Sequence, residues 1–248
     1  MKAVFVCDNN PIYSDFWEPM ANHMWSKFGI KSKLYYLTDE MGDTPYESEF
    51  AEVQKIQLLP NVPRIIQALM AKWYFPAFEN ENIFICDIDC FLLSQNFINY
   101  ILSSDTLFHL KVYNDIFIPG YYFYGKPEDL GNFFKVNNRT FEDFCLDLLI
   151  SESKYKLEEY EVTAFSKAAS PDWKYFCIEE KYAYNCSLEY KGIVRNNIPH
   201  PTPLVNRICR SKNSLYDVFQ LKAGEYIDYH APRPYHEYKP IIKEILRG

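Results

Sequence analysis

The chain has 248 residues, with 33 acidic side chains against 26 basic ones and a formal net charge of −7. Apolar residues at 48% and charged residues at 24% describe a globular chain and exclude wholesale disorder or a fibrous repeat. With no basic excess to neutralise phosphates, a general nucleic-acid binder is excluded too, and the length predicts one domain that can hold a full core.

Ala3 to Cys7 is an apolar run closed by Asp8-Asn9-Asn10-Pro11, which predicts a strand and then a tight turn. Only five apolar residues separate Lys2 from Asp8, too few for a signal-peptide core. Asp15 and Glu18 have the spacing of a capping box, and Phe16 to Phe28 reads as a helix stopped by Gly29. Leu34 to Leu37 is a second strand. The acidic stretch from Thr38 to Glu52, with Gly42 and Pro45, reads as loop. After Pro63, expected in a first helical turn, Ile65, Ile66, Leu69, Met70, Trp73 and Tyr74 recur at helical spacing. Ile83 to Cys86 is then a fully apolar strand running into Asp87.

Strand and helix alternate through this front section, the pattern of an α/β sheet with helices on its faces. Further helices are predicted over Pro127–Phe134, Thr140–Ile150, Glu179–Leu188 and Glu237–Leu246. No composition break divides the chain, so 1–248 reads as one domain. The longest uncharged stretch, Cys90 to Ser104, contains Gln95, Asn96 and Asn99 and falls short of the roughly 20 apolar residues of a membrane span. Seven cysteines at irregular spacing fit reduced thiols, and the expected location is cytoplasmic. Asn138-Arg139-Thr140 and Asn185-Cys186-Ser187 then read as chance glycosylation matches. Aromatics at 18% suit a sugar-facing site, although a compositional bias toward Tyr and Phe explains them more simply.

Asp87-Ile88-Asp89 carries the most chemistry. A buried strand ending in Asp-x-Asp delivers two carboxylates to the carboxyl edge of the sheet, where open α/β sheets bind ligands. With the backbone extended, both would point to one side and form a site for a hard cation, Mn²⁺ or Mg²⁺. The same pattern also occurs in solvated strand ends. Haloacid-dehalogenase phosphatases carry such a pair too, but near the start of the domain and with Thr or Val where this chain has Phe91.

The order of several further features resembles GT-A glycosyltransferases, the nucleotide-diphospho-sugar transferases. Ala3 to Asp8 is similar to their first nucleotide-binding strand. Gln67-Ala68 through Tyr74 is similar to the helix before the metal motif, with Lys72 where Arg is usual. Trp173 followed by Glu179-Glu180-Lys181-Tyr182 is similar to an acceptor-pocket element. Tyr226 to Pro234, containing His230, resembles a C-terminal segment that returns to the metal.

The resemblance implies a single-domain, Rossmann-like GT-A fold, a mixed sheet flanked by helices. It implies a hexosyltransferase-type enzyme that moves a sugar from a UDP- or GDP-sugar to a glycan or other hydroxyl acceptor, with Mn²⁺ or Mg²⁺ as cofactor. In that reading Asp89 is a direct metal ligand, Asp87 is shared between metal and ribose, and His230 is the third ligand, which favours manganese slightly. Lys72 and Arg233 would contact the diphosphate, and Asp8 the base or ribose. Lys72 has the alternative of snorkelling to solvent, and Asp8 that of capping its own turn. An inverting transferase needs a carboxylate base, for which Glu179 and Glu180 are the candidates and Glu180 is preferred. Both could instead be first-turn acids that stabilise a helix N-terminus. Trp173 could stack on a sugar or sit in the core, and Gly120 to Gly125 is either an acceptor-side segment or a buried strand. Cys86 and Cys90 read as packed thiols, Arg207 and Arg210 as structural, and His200 as a loop residue. The alternatives are a phosphatase that forms a phospho-aspartate at Asp87, a nucleotidyltransferase disfavoured by its missing glycine loop, and a non-catalytic glycan binder of the same fold.

Overall fold

The N-terminal apolar run forms the strand from which the sheet is built. A computed structural model describes residues 1–40, 42, 45–103, 105–109, 118, 122–151, 178–195, 207–208 and 228–247. Strand β1 (Lys2–Asp8) pairs in parallel with β2 (Lys31–Thr38) on one side and with β4 (Ile83–Ile85) on the other. β2 in turn pairs with β3 (Ala51–Gln57). Beyond β4 lie β7 (Phe123–Gly125) and β6 (Leu107–His109), both reached by antiparallel steps, and then β8 (Val194–Arg195), parallel to β6. Among the described residues the order is β3-β2-β1-β4-β7-β6-β8, so the protein is an α/β structure on a mixed sheet.

Helices cover both faces, because β1 alternates within a run that is apolar throughout. Ala3, Phe5 and Cys7 pack with α2 (Trp17–Phe28), α4 (Gln95–Leu102) and α8 (Tyr235–Leu246). Val4 faces the opposite core, made with α3 (Arg64–Tyr74), α5 (Pro127–Phe134), α6 (Phe141–Ile150) and α7 (Ile178–Glu189). Trp17 sits 6.1 Å from Phe5 in the first core, and Trp73 stacks at 4.5 Å on Phe134 in the second.

A second sheet of three short strands brings the chain's end back to its middle. β10 (Asp228–His230) pairs antiparallel with β5 (Cys90–Leu92) and parallel with β9 (Arg207–Ile208). The His23 imidazole on α2 donates from Nε2 to the Leu92 carbonyl at 2.5 Å and ties this sheet to the first helix layer.

Four local expectations are corrected. Asp15 and Glu18 form no capping box: a short helix, α1 (Pro11–Ser14), precedes α2 and takes Asp15 as its C-cap, while Phe16 caps α2 without a side-chain bond. Pro63 is the N-cap of α3 rather than a first-turn residue. The acidic loop ends sooner than expected, since Ala51 and Glu52 already belong to β3. After β4 the backbone turns instead of staying extended, with Cys90 N donating to the Asp87 carbonyl at 3.1 Å. Gly29 does close α2, in the left-handed conformation at φ 64° that a glycine adopts without a Cβ clash.

Candidate functional site

The strand order reverses between β1 and β4, since the chain builds outward through β2 and β3 before returning to the other side of β1. Such a reversal opens a crevice at the carboxyl ends of the two strands, the general ligand position in open α/β sheets. Asp8 ends β1, and Asp87 follows β4 by two residues. β4 pairs with β1 as far as Ile85 opposite Val4, and Cys86 N still donates to the Val4 carbonyl at 3.3 Å before the chain turns.

The Asp8 carboxylate accepts from Asn10 N at 3.2 Å, and the Asn10 side chain accepts from Ile12 N at 3.1 Å. These two bonds fold the turn, start α1 and set Tyr13 at the mouth of the crevice. Asp8 thus caps its own turn. Tyr13 is a site neighbour that the sequence reading passed over; its place just past the turn after β1 was the available clue.

The turn at residues 87–90 sends the two motif carboxylates to different partners. Asp87, whose side chain is 31% exposed, accepts from Lys72 Nζ at 3.0 Å. The Lys72 ammonium does not run out to solvent; it lies between Asp87 and Glu179, 3.8 Å from Glu179 Oε1. Burial opposes its charge, but Asp87 and Glu179 outweigh that and hold it protonated above the ordinary lysine range.

Asp89 is only 3% exposed and accepts from Arg233 Nε at 2.6 Å. His230 Nε2 stands 3.4 Å from the same oxygen. Burial alone would raise the Asp89 carboxyl, yet Arg233 and His230 together hold it well below the usual carboxylate range. The guanidinium of Arg233 also donates to the Tyr13 hydroxyl and lies 4.3 Å from the centre of its ring. Pairing between β10 and β5 is what delivers His230, which lies opposite Cys90, and Ala231 N seals the register on the Asp89 carbonyl at 2.8 Å.

Glu179 and Glu180 both lie in the first turn of α7. Glu179 is the buried one, and its Oε2 has no hydrogen-bond partner among the described residues. Burial pushes its carboxyl up to about 7, partly offset by Lys72 and reinforced by Glu180 and Asp87. Glu180 is half-buried, and its carbonyl accepts from Ile118 N at 3.1 Å. Trp173, His200, Arg210 and the segment Gly120–Tyr121 lie outside the described residues, as does the side chain of Arg207.

The ligand atoms of Asp89, Cys90 and His230 lie within 4.8 Å of one another, and among the described residues these three form the group able to hold a metal ion. A carboxylate and an imidazole facing each other suit a divalent cation such as Mn²⁺. Asp87 is not in this group. No described helix is long and apolar enough to cross a membrane. Neither a model of a known protein family nor a curated protein matches the chain.

Proposed function

We propose that the protein is a metal-dependent glycosyltransferase of the GT-A type that moves a sugar from a UDP- or GDP-sugar to a hydroxyl acceptor. One observation carries this reading: Asp89, His230 and Arg233, far apart in the chain, meet beside the carboxyl edge where the strand order reverses, where Tyr13 also feels the charges of Asp87 and Asp8. A buried carboxylate with a histidine and a guanidinium beside it is suited to a cation and a diphosphate together.

Asp89 and His230 would hold the cation, Mn²⁺ or Mg²⁺, with Asp87 able to reach the ribose or the outer shell. When bound, the cation supplies Lewis-acid stabilisation to the charge that grows on the leaving diphosphate. Arg233 and Lys72 add fixed positive charge to the same region, which lowers the cost of that charge without reorganising solvent. Asp8 lies where a base or ribose would enter along β1. For the acceptor, Glu179 is favoured over Glu180, because its buried Oε2, unbonded among the described residues, can take a hydroxyl proton and burial raises the carboxyl to about 7.

The test is a thermal-shift panel of UDP, GDP and their sugars with and without Mn²⁺. A rise that needs both Mn²⁺ and one nucleotide, and that disappears in Asp89→Ala, is expected. No rise with any nucleotide, alongside Mg²⁺-dependent hydrolysis of simple phosphate esters, would move the assignment to a phosphatase acting through Asp87.

A further inference from the structure

We propose that Asp89, Cys90 and His230 form a site for a thiophilic divalent cation of the zinc class, with the Cys90 sulfur as a ligand. The inference shares Asp89 and His230 with the glycosyl-transfer reading, but it rests on the arrangement of three donor atoms and not on any nucleotide.

The arrangement follows from strand pairing. Cys90 and His230 are direct partners in the antiparallel β5–β10 register, so their side chains leave the sheet on the same face. The Ala231 N–H bond to the Asp89 carbonyl makes the neighbouring 89–231 pair the hydrogen-bonded one. That leaves Cys90 and His230 as a non-hydrogen-bonded pair, the kind whose side chains approach most closely. Asp89, at the turn before β5, closes the third side. The Cys90 thiol donates to Asp89 Oδ1 at 3.8 Å, and His230 Nε2 faces Oδ2 at 3.4 Å.

The neighbouring thiol makes a useful contrast. Cys86 Sγ points at backbone, donating to the carbonyls of Asp87 and Cys90, each at 3.4 Å. Cys90 Sγ instead points at a carboxylate beside an imidazole. A sulfur, a nitrogen and an oxygen donor at this separation form a set that selects Zn²⁺ or Co²⁺ over Mg²⁺, whose ligands are oxygens. His230 is the partly exposed member of the group, so the side of the site it forms is the one nearest solvent. Arg233 donates to Asp89 Oδ2, which leaves Oδ1, the oxygen that the Cys90 thiol faces, for the cation. On binding, the cation exchanges for the thiol proton, which leaves to solvent, so one proton is released for each metal that enters through Cys90.

The experiment is a Co²⁺ titration of the full, reduced chain, followed by optical absorption and then by displacement with Zn²⁺. Expected are one Co²⁺ per chain, a thiolate-to-cobalt charge-transfer band, and its loss on adding Zn²⁺. Cys90→Ser should abolish the band, His230→Ala should weaken Co²⁺ binding at least tenfold, and Cys86→Ser should leave the band intact. Zinc-edge X-ray absorption on the wild-type chain gives the same answer without a variant, as one sulfur at about 2.3 Å among nitrogen and oxygen ligands. A first shell without sulfur, or a charge-transfer band that survives Cys90→Ser, would overturn the inference. The Mn²⁺-dependent nucleotide shift measured on the same proteins keeps the two readings apart. If that shift is absent and the cobalt band present, the transferase reading falls and the zinc-class site stands; the reverse result removes Cys90 alone.

Discussion

Arg233 and Asp89 are 144 positions apart in the chain, yet Nε of one donates to Oδ2 of the other at 2.6 Å. The pair closes the C-terminal segment onto the turn after β4, and it neutralises a carboxylate that would otherwise be buried as a bare charge. Arg233 thus supplies to Asp89 the positive charge that the proposed cation would also supply.

Arg233→Gln should therefore act in opposite directions on stability and on metal affinity. Losing a charged hydrogen bond to a nearly buried carboxylate should cost the metal-free protein about 1–3 kcal/mol at neutral pH. Mn²⁺ should bind the variant more tightly than the wild type, because no guanidinium competes for Asp89. Urea unfolding with and without Mn²⁺ reads both effects, and equal Mn²⁺ affinity in the two proteins would show that Arg233 does not compete.

His23 sets an acid limit on the fold. Burial lowers its imidazole to about 4, from an ordinary value of 6.5, despite its bond to the Leu92 carbonyl. Between those two values the unfolded chain holds a proton that the folded chain does not. The stability this residue protects is present above about 6.5 and is lost as pH falls toward 4. The window corresponds to roughly 3 kcal/mol. In His23→Gln, whose amide can also donate to Leu92, the melting temperature should change less with pH across this window than in the wild type. Equal pH slopes for the two proteins would mean that His23 is not buried neutral.

Much of the front half is legible in sequence because each of its elements has one dominant local cause. β1 is a continuous apolar run, α2 ends in a glycine, and the strand before Asp87 is apolar throughout. The second sheet is not legible, since β5, β9 and β10 have three residues or fewer and hold together only through partners far along the chain. The separation of Asp87 from Asp89 was hidden for the same reason. Period-two alternation predicts a shared side only while the strand continues, and the bond from Cys90 N to the Asp87 carbonyl ends it. His230 and Arg233 could be nominated from their segment, but their meeting with Asp89 depends on the register of β10 on β5.

Gln67 shows how a motif residue can have a structural cause. Its side chain accepts from Leu59 N at 2.8 Å and donates to the carbonyls of Leu59 and Val62 at 2.9 and 2.8 Å. It staples the chain leading into α3 and sits almost fully buried. Gln67→Ala would strand those backbone groups, with an expected loss of about 2–4 kcal/mol in chemical unfolding. Nucleotide affinity per folded molecule should stay at the wild-type level; a large drop in affinity at full folding would place Gln67 in the binding site instead.

Glu179 links the fold's stability to the proposed chemistry through Lys72. Its carboxyl is raised by burial to about 7, so between 4.5 and 7 the folded chain retains a proton that the unfolded chain has lost. The sign is opposite to that of His23: this residue makes stability fall as pH rises through the window. Glu179→Gln should remove that slope and give a higher melting temperature than the wild type above pH 7. If Glu179 takes the acceptor's proton, the same variant should lose about 10²–10⁴-fold in turnover while donor binding is unchanged. Lys72→Met should push the Glu179 carboxyl higher still, because Asp87 and Glu180 then act on it without the intervening ammonium. The acid limb of the pH–rate profile should move to higher pH in Lys72→Met and stay in place in Lys72→Arg. A profile that does not move in Lys72→Met would remove Glu179 from the proton transfer, even if its effect on stability follows the expected sign.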